Sequence, residues 1–193
     1  MILFVSERDV CRSVLAASIL RAANPLPSVE IRHAGMTAVV GVPADPLTVS
    51  IGRRLLGVDL ADHVASQVTN DEIASAGLIL TATRAIRSQI VRAYAPAIRR
   101  SFTIRQVGRI LSSSTHTFNP GASDATETLS AFVRFLNQER SPLGLGRSYN
   151  DDIIDPHGQR AQVHEFAARE IVSSVGLLSG AFKADSVAWV PAS

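Results

Sequence analysis

Short apolar runs alternate along the first half of the chain with longer segments whose apolar residues follow helical spacing. Brief runs rich in Ile, Leu, Val and Phe are typical of strands that are covered on both faces of a sheet. The predicted strands are Ile2–Val5, Val29–Arg32, Gly77–Thr81 and Ser101–Ile104. Each of the first three is followed by a segment that predicts a helix.

These helical segments have recognisable start and stop signals. Apolar residues recur at helical spacing over Arg12–Ala23, and Asn24-Pro25 ends the run. A proline-led helix is predicted over Asp45–Leu56 and closed by Gly57, and Thr83 is placed to cap a third helix. Strand and helix alternating in this way predict an α/β fold: a doubly wound, four-stranded parallel sheet flanked by helices.

The second half of the chain has a weaker pattern. Two more helices are predicted, Ala125–Leu136 and Gln162–Leu178, with polar, loop-like sequence at Ser112–Pro120 and Ser141–Asp152. The sequence has no internal repeat, and 193 residues suit one hydrophobic core. We therefore predict a single domain, 1–193, with a longer irregular segment at about 112–152.

Composition and charge narrow the class of protein. Hydrophobic residues make up 46% of the chain and the formal net charge is only +2, with no basic block, so no nucleic acid partner is expected. No run approaches the ~18 apolar residues of a membrane span, and Ile2–Val5 is too short for a signal peptide. We expect a cytoplasmic protein with no membrane partner. The single cysteine, Cys11, excludes an internal disulfide and a cysteine-based zinc cluster, and no metal or cofactor is predicted.

The residues Ser6–Ser13 lie between the first predicted strand and the first predicted helix. In doubly wound sheets, ligands bind beyond the carboxyl ends of the strands, and a helix N-terminus offers free backbone N–H groups to an anion. Arg12 adds a planar guanidinium that suits two phosphate oxygens, and Ser13 adds a hydroxyl donor. These residues favour an oxyanion site, while a plain βα turn with an exposed arginine is an equally good interpretation of the loop alone.

The loop and several later segments resemble low-molecular-weight protein tyrosine phosphatases. That family opens with an apolar strand followed by Cys-x-Gly-Asn-x-Cys-Arg-Ser, and here Ile2–Val5 is followed by Ser-Glu-Arg-Asp-Val-Cys-Arg-Ser. Asp155-Pro156 precedes the last predicted helix, as the Asp-Pro of the family does. Further segments that resemble the family are His33–Thr37, Gly41–Pro46, His63–Val68 and Ala76–Leu80. The resemblance covers most of residues 1–111 and then 152–175.

The resemblance implies a catalytic site and the roles of its residues. In the family a thiolate at the position of Ser6 attacks phosphorus, Arg12 clamps the phosphate, and Asp155 protonates the leaving tyrosine oxygen. Ser13 would donate to the nucleophile, and Pro156 would fix the loop that carries Asp155. The phosphate-binding residues implied are Glu7, Arg8, Asp9, Val10, Cys11, Arg12 and Ser13. The implied partner is a phosphotyrosine protein or a phosphate-like anion.

Several residues depart from the family pattern. Ser6 replaces the nucleophilic cysteine, and a serine hydroxyl needs an adjacent base; the nearest candidate in sequence, Asp9, stands where the family has asparagine. Arg8 replaces a small residue, usually glycine, and is strained if that position needs a positive φ. The charge of Asp9 should weaken phosphate binding unless Arg8 neutralises it. His33 stands in place of a serine, and His157 in place of an aromatic residue.

The remaining candidate residues are interpreted as structural. Cys11 matches the second cysteine of the family motif, and we interpret it as a small buried side chain rather than a displaced nucleophile. His63, His116 and His164 are interpreted as surface or core residues, because their spacing gives no metal motif.

Three hypotheses follow. The favoured one is a pseudophosphatase that keeps the fold and the oxyanion site but is catalytically impaired, because Ser6 occurs with an intact Arg12-Ser13. The second is an active tyrosine phosphatase, which hydrolyses phosphotyrosine and is either seen as a Cys-to-Ser variant or uses unusual chemistry. The third is an interaction protein with no phosphate site, in which Arg8 and Asp9 form a salt-bridged, remodelled loop.

Overall fold

A computed structural model describes residues 1–119, 124–140 and 150–183. The strands of this described part are β1 (Ile2–Ser6), β2 (Ile31–Gly35), β3 (Leu78–Thr81) and β4 (Ser101–Thr103). Its α-helices are α1 (Arg12–Ala23), α2 (Pro46–Leu56), α3 (Asn70–Ser75), α4 (Arg84–Ala93), α5 (Ile104–Ser113), α6 (Ala125–Arg140) and α7 (Ala161–Ala181). A short 3-10 helix, Ala95–Arg99, connects α4 to β4.

The four strands form one parallel sheet in the order β2-β1-β3-β4. In the inner strand β1, Val5 lies between Ala34 of β2 and Thr81 of β3. The chain forms β2 on one side of β1 and later returns to form β3 on the other side. The loop after β1 therefore lies where the strand order reverses, which is where doubly wound sheets bind ligands. The predicted fold, a doubly wound four-stranded parallel sheet flanked by helices, is confirmed.

Side-chain alternation along β1 divides the core into two layers. Ile2 and Phe4 pack with residues of α1, α5, α6 and α7 on one face of the sheet. Leu3 and Val5 pack with residues of α3 and α4 on the other face. All four side chains are at most 1% exposed. A strand that is covered on both faces has to be apolar throughout, which explains the unbroken run at the start of the chain.

Local capping signals placed several helices correctly. Helix α1 has its predicted bounds, and Asn24 ends it in the left-handed conformation at φ 42°. The Asp45 carboxylate accepts from the Leu47 amide at 3.0 Å at the start of α2. The Thr83 hydroxyl accepts from the amide of Ile86 at 3.2 Å at the start of α4, so the predicted cap is confirmed.

Other elements differ from the sequence prediction. Strand β2 begins at Ile31 rather than Val29, because its register pairs Ile31 with Ile2, the first residue of β1. Strand β4 ends at Thr103, whose hydroxyl accepts from the Gln106 amide at 3.0 Å and so starts helix α5. The sequence interpretation missed α5, and it also missed the short helix α3.

The second half of the chain contains a longer helix than predicted. Helix α6 runs from Ala125 to Arg140 rather than to Leu136, and it buries Phe132 completely. Residues 120–123 and 141–149 lie outside the described part, so most of the predicted loop Ser141–Asp152 is not described. Among the described helices, none is long and apolar enough to cross a membrane.

Gly35, at the end of β2, lies directly against the loop that follows β1. A Cβ atom added there would lie 2.9 Å from the Glu7 carbonyl oxygen and 2.9 Å from the Arg8 carbonyl carbon. Backbone atoms move little, so we expect Gly35→Ala to destabilise the protein by about 1–3 kcal/mol. Gly176→Ala is the matched control, because a Cβ at this helical position meets no atom within 4 Å. Denaturant unfolding of both variants checks the prediction, and equal stability would contradict it.

Candidate active site

The loop Ser6–Ser13 turns from the carboxyl end of β1 into the N-terminus of α1. Cys11, the residue before α1, makes no side-chain cap hydrogen bond, so its side chain satisfies none of the free amides of this helix end. Asp9 has φ 59°, in the left-handed region, while Arg8 does not have a positive φ. The strain considered for Arg8 therefore does not arise, because the special backbone conformation falls one residue later, on an aspartate that tolerates it.

Arg12 is a buried cation at the start of α1, only 5% exposed. Its Nη1 donates to the Ile153 carbonyl at 3.0 Å, and its Nη2 lies 2.9 Å from the Asp155 carboxylate. Its Nε is buried and has no hydrogen-bond partner in the described part of the chain. Burial lowers the pKa of Arg12 and the Asp155 carboxylate raises it. A buried guanidinium with an unused donor is suited to a further anion.

Asp155 is brought to the loop from the segment that precedes α7. Its carboxylate is 36% exposed and contacts Arg12 as well as Arg8, whose Nη1 lies 3.5 Å away. Arg8 thus pairs with Asp155 rather than with Asp9, so the salt bridge considered between Arg8 and Asp9 is absent from the ion pairs of the described loop. Arg12 and Asp155, two residues of the predicted site that are far apart in the chain, are in direct contact.

The carboxylate of Asp9 is fully buried beneath the loop, with 0% exposure. It accepts hydrogen bonds from the Ser13 hydroxyl at 2.7 Å and from the Ser66 amide at 3.0 Å. The Nδ1 atom of His33 lies 3.0 Å from each of its oxygens. The negative charge is therefore held by dedicated donors, which explains how it can be buried.

The Ser6 hydroxyl is hydrogen bonded to this group. Its Oγ lies 2.7 Å from Ser13 Oγ, and it also accepts from the Asp9 amide at 3.3 Å. The resemblance implied that Ser13 donates to the nucleophile position. In the structure the Ser13 hydroxyl also donates to Asp9 Oδ1, and between Ser6 and Ser13 either hydroxyl can be the donor.

Comparison with known proteins identifies the family of the chain that contains this loop. The family model described as low molecular weight phosphotyrosine protein phosphatase matches residues 1–117, which is more than half of the chain. The chain belongs to this phosphatase family. Sequence relatives agree with that assignment, and solved structures share the fold, as described next.

Two sequence relatives illustrate the range of named activities in the family. The probable low molecular weight protein-tyrosine-phosphatase EpsP of Ralstonia nicotianae is 37% identical over 89 residues, which are 46% of this chain and 59% of EpsP. The match thus spans about three fifths of that relative. A protein-arginine-phosphatase of Geobacillus stearothermophilus is 32% identical over 105 residues, which are 54% of this chain and 69% of that protein.

Solved structures share the fold over a larger part of the chain. The arginine phosphatase YwlE of Geobacillus stearothermophilus superposes with a TM-score of 0.65 at 24% identity, covering 93% of this chain and 90% of that one. A YwlE arginine phosphatase structure of a Cys-to-Ser mutant, described as having a phosphorylated active-site serine, has a TM-score of 0.50 at 24% identity. It covers 76% of this chain and 97% of that one.

Cys11, the only cysteine of the phosphatase loop, is a buried thiol. Burial raises the pKa of Cys11 from 9.0 to about 12, and a hydrogen bond with Thr48 only partly offsets this. Only the thiolate attacks electrophiles, so the reactive fraction at neutral pH is about a thousandfold lower than for a thiol of pKa 9.0. The structure supports the interpretation of Cys11 as a small buried side chain.

We therefore expect Cys11 to react with iodoacetamide at least about a hundredfold more slowly in the folded protein than in guanidinium chloride, because unfolding removes the burial that protonates the thiol. The measurement is the rate of alkylation, followed by intact mass. Equal rates in the folded and unfolded protein would show that the thiol is accessible and ionisable.

Two histidines next to the phosphatase loop form a group that the sequence did not indicate. Asp9, His33 and His63 each offer a ligand atom, and these atoms lie within 4.8 Å of one another. Both ring nitrogens of His63 are buried without a hydrogen-bond partner among the described residues, and burial lowers its pKa. Two imidazoles and a carboxylate are the residue types that hold a metal ion such as zinc. Sequence spacing gave no signal, because the three residues come from separate segments of the chain.

The other candidate histidines serve packing and capping. The Nδ1 atom of His157 lies 3.2 Å from the Asp45 carboxylate, the N-cap of α2. His164 is buried in α7 with its Nδ1 atom 3.0 Å from the Thr48 hydroxyl, and His116 contacts Glu139 at 3.0 Å on the surface. His164 and His116 thus lie in the core and at the surface, as the sequence predicted.

Proposed function

We propose that this family member binds a phosphate monoester of the phosphotyrosine type in the Ser6–Ser13 loop and turns it over poorly. The loop amides of residues 7–13 and the Arg12 guanidinium hold the phosphate. Asp155 stands at the leaving group, and Ser6 occupies the place of the nucleophile. The family assignment and the tyrosine phosphatase name of EpsP support a phosphotyrosine protein as the substrate class.

The contact between Arg12 and Asp155 carries this proposal. A cation that is 5% exposed, with one donor nitrogen unused, lies 2.9 Å from a carboxylate that is 36% exposed. The cation suits the phosphate and the carboxylate suits the ester oxygen, so the pair matches the two ends of a phosphate monoester. A plain βα turn has no need to bury an arginine with an unsatisfied donor.

Poor turnover is proposed because Ser6 carries a hydroxyl rather than a thiol. A thiol at a helix N-terminus ionises near neutral pH, whereas a serine hydroxyl has to lose its proton to a base during the attack. The described phosphorylated serine in the Cys-to-Ser YwlE mutant supports the view that a serine in this fold can take a phosphoryl group. In the second step, the P–O bond of a phosphoserine is broken more slowly than the P–S bond of a phosphocysteine, because the serine oxygen is the poorer leaving group.

Calorimetric titration with inorganic phosphate tests the binding, together with para-nitrophenyl phosphate hydrolysis by the same protein. We expect phosphate to bind, Arg12→Ala to weaken binding by roughly a hundredfold, and hydrolysis to be slow. Arg53→Ala is the matched control, since Arg53 is a surface residue paired with Asp59. Absence of phosphate binding would favour an interaction protein. Fast hydrolysis that is lost in Arg12→Ala would favour an active phosphatase.

A further inference from the structure

Four polar side chains form one hydrogen-bonded row behind the phosphate loop. Ser6 Oγ lies 2.7 Å from Ser13 Oγ, which lies 2.7 Å from Asp9 Oδ1, which lies 3.0 Å from His33 Nδ1. Ser6, Ser13 and Asp9 are at most 2% exposed, so water does not compete for these bonds. The row begins at the nucleophile position and ends at a histidine.

The direction of each hydrogen bond follows from the number of protons available. A carboxylate only accepts, so the single proton of Ser13 points to Asp9. Ser13 Oγ then has no proton left for Ser6, and the Ser6 hydroxyl must donate to Ser13. His33 faces the carboxylate with Nδ1, which therefore carries a proton. The Ser6 oxygen accepts from the Asp9 amide at 3.3 Å and keeps one further lone pair for attack.

We infer that Ser6 is a working nucleophile and that Asp9 is its base, reached through Ser13. This inference rests on the proposed function, because it needs a phosphate monoester held in the loop. Ser6 Oγ forms a bond to phosphorus while the bond to the leaving oxygen breaks with its electron pair. The Ser6 proton moves to Ser13 Oγ, and the Ser13 proton moves to Asp9. The products are phosphoserine at Ser6, a neutral Asp9 carboxyl group and the leaving alcohol or phenol, which takes its proton from the protonated form of Asp155; a weakly basic nitrophenolate leaves without that proton.

The same row serves the second half of the reaction in reverse. Water attacks the phosphoserine and gives one of its protons to the Asp155 carboxylate. The bond from phosphorus to Ser6 Oγ breaks, and the Asp9 proton returns through Ser13 to the Ser6 oxygen. Inorganic phosphate is released, and every residue of the row regains its first state. Without this proton, the Ser6 alkoxide would be a poor leaving group and the phosphoserine would be permanent.

The row supplies a base, which a hydroxyl nucleophile needs and a thiolate does not. A carboxylate is a sufficient base for a hydroxyl in phosphoryl transfer, as in protein kinases. Asp9 would hinder a cysteine at position 6, because its charge opposes formation of a thiolate. The acidic residue at position 9 therefore serves as a base for the hydroxyl at position 6. His33 is a positioning residue, which donates to Asp9 and holds its charge in place.

The test compares four proteins: the wild type, Asp9→Asn, Ser6→Cys and the double variant. Asparagine tolerates the left-handed backbone of position 9 and keeps the size of the side chain, but it accepts no proton. Each protein is mixed with para-nitrophenyl phosphate, whose weakly basic leaving group makes no demand on Asp155. The nitrophenolate burst and the phosphoryl mass increment on the Ser6 peptide are followed in time. A chelator is present, because Asp9, His33 and His63 could hold a metal ion.

We expect Asp9→Asn to slow phosphorylation of Ser6 by about 10²–10⁴-fold, the usual range for a lost general base. In the Ser6→Cys protein the same change should leave the burst unchanged or make it faster. A merely structural Asp9 would slow both proteins alike, and that result would overturn the inference, as would an unchanged rate in both. Ser13→Ala interrupts the row one step earlier and should reproduce the loss if Asp9→Asn is unstable.

Phosphate titration separates this inference from the proposed function. If inorganic phosphate binds to the wild type but Ser6 is never phosphorylated, the relay is wrong and the binding site stands. If phosphate does not bind, the proposed function fails first. Binding that persists in Asp9→Asn, together with slow phosphorylation, is the combination that supports the relay.

Discussion

Replacing Ser6 with cysteine is expected to raise the steady-state rate of para-nitrophenyl phosphate hydrolysis by about a hundredfold, or about 2.7 kcal/mol of barrier. Ser6 ends β1 and begins the loop that leads into the N-terminus of α1, and a helix N-terminus and an arginine both favour a thiolate. A thiolate needs no base for attack and is a better leaving group than an alkoxide in the second step. The charge of Asp9 opposes this gain, and we expect the helix end and Arg12 to outweigh it.

Two controls make the Ser6→Cys result interpretable. Ser6→Ala removes the nucleophile without adding a thiol and should have no activity above the background rate. Cys11 remains protonated because burial raises its pKa to about 12, so it does not contribute activity to any of these proteins. A Ser6→Cys protein that binds phosphate but hydrolyses no faster than the wild type would mean that the loop no longer supports the family reaction.

Asp155→Asn is expected to have opposite effects on binding and on catalysis. In the wild type the Asp155 carboxylate lies 2.9 Å from Arg12 Nη2. It therefore competes with a phosphate dianion for the guanidinium and repels it. Removal of this negative charge should tighten inorganic phosphate binding by roughly tenfold, or about 1.4 kcal/mol. In the Ser6→Cys protein, the same change should lower phosphotyrosine turnover by about 10²–10⁴-fold, because the tyrosine oxygen then leaves without a proton.

The leaving group and a neighbouring carboxylate provide the controls for Asp155→Asn. Para-nitrophenyl phosphate should be much less affected than phosphotyrosine, since nitrophenolate leaves without protonation. Asp152→Asn changes a nearby carboxylate that pairs with Arg84 instead of Arg12, and it should change neither binding nor turnover. Equal losses for both substrates would show that Asp155 positions Arg12 and does not act as a general acid.

Local signals in the sequence were sufficient for much of the fold. The apolar run before Ser6, the helix over Arg12–Ala23 and the Thr83 cap depend on neighbouring residues alone, and all three are present. Helix α5 was missed because Thr103 both ends β4 and caps the helix, so no turn residues separate the two elements. A boundary without a turn has no sequence signature of the usual kind.

In the candidate site too, the sequence indicated some residues, while the contacts between distant residues were visible only in the structure. Arg12, Ser13 and Asp155 were found by their order in the chain and their resemblance to a family motif. The partners of Asp9 and Arg8 were not, since the first contacts His33 and the second contacts Asp155 across long stretches of sequence. Asp9 was expected to oppose phosphate binding, yet its charge is satisfied by three donors beneath the loop.

By itself, the sequence determined the family, through the motif at residues 6–13 together with the later segments and Asp155-Pro156, and it showed a serine in place of the nucleophilic thiol. The sequence was sufficient here because the backbone geometry of a strand-to-helix turn depends on neighbouring residues, and the residue at its start is read directly from the chain. Only the tertiary structure decided which groups surround that serine. The edge of the parallel sheet brings His33 and Ser66 to Asp9, and Asp9 to Ser13 beside Ser6. Proton transfer depends on such distances, which chain order does not encode.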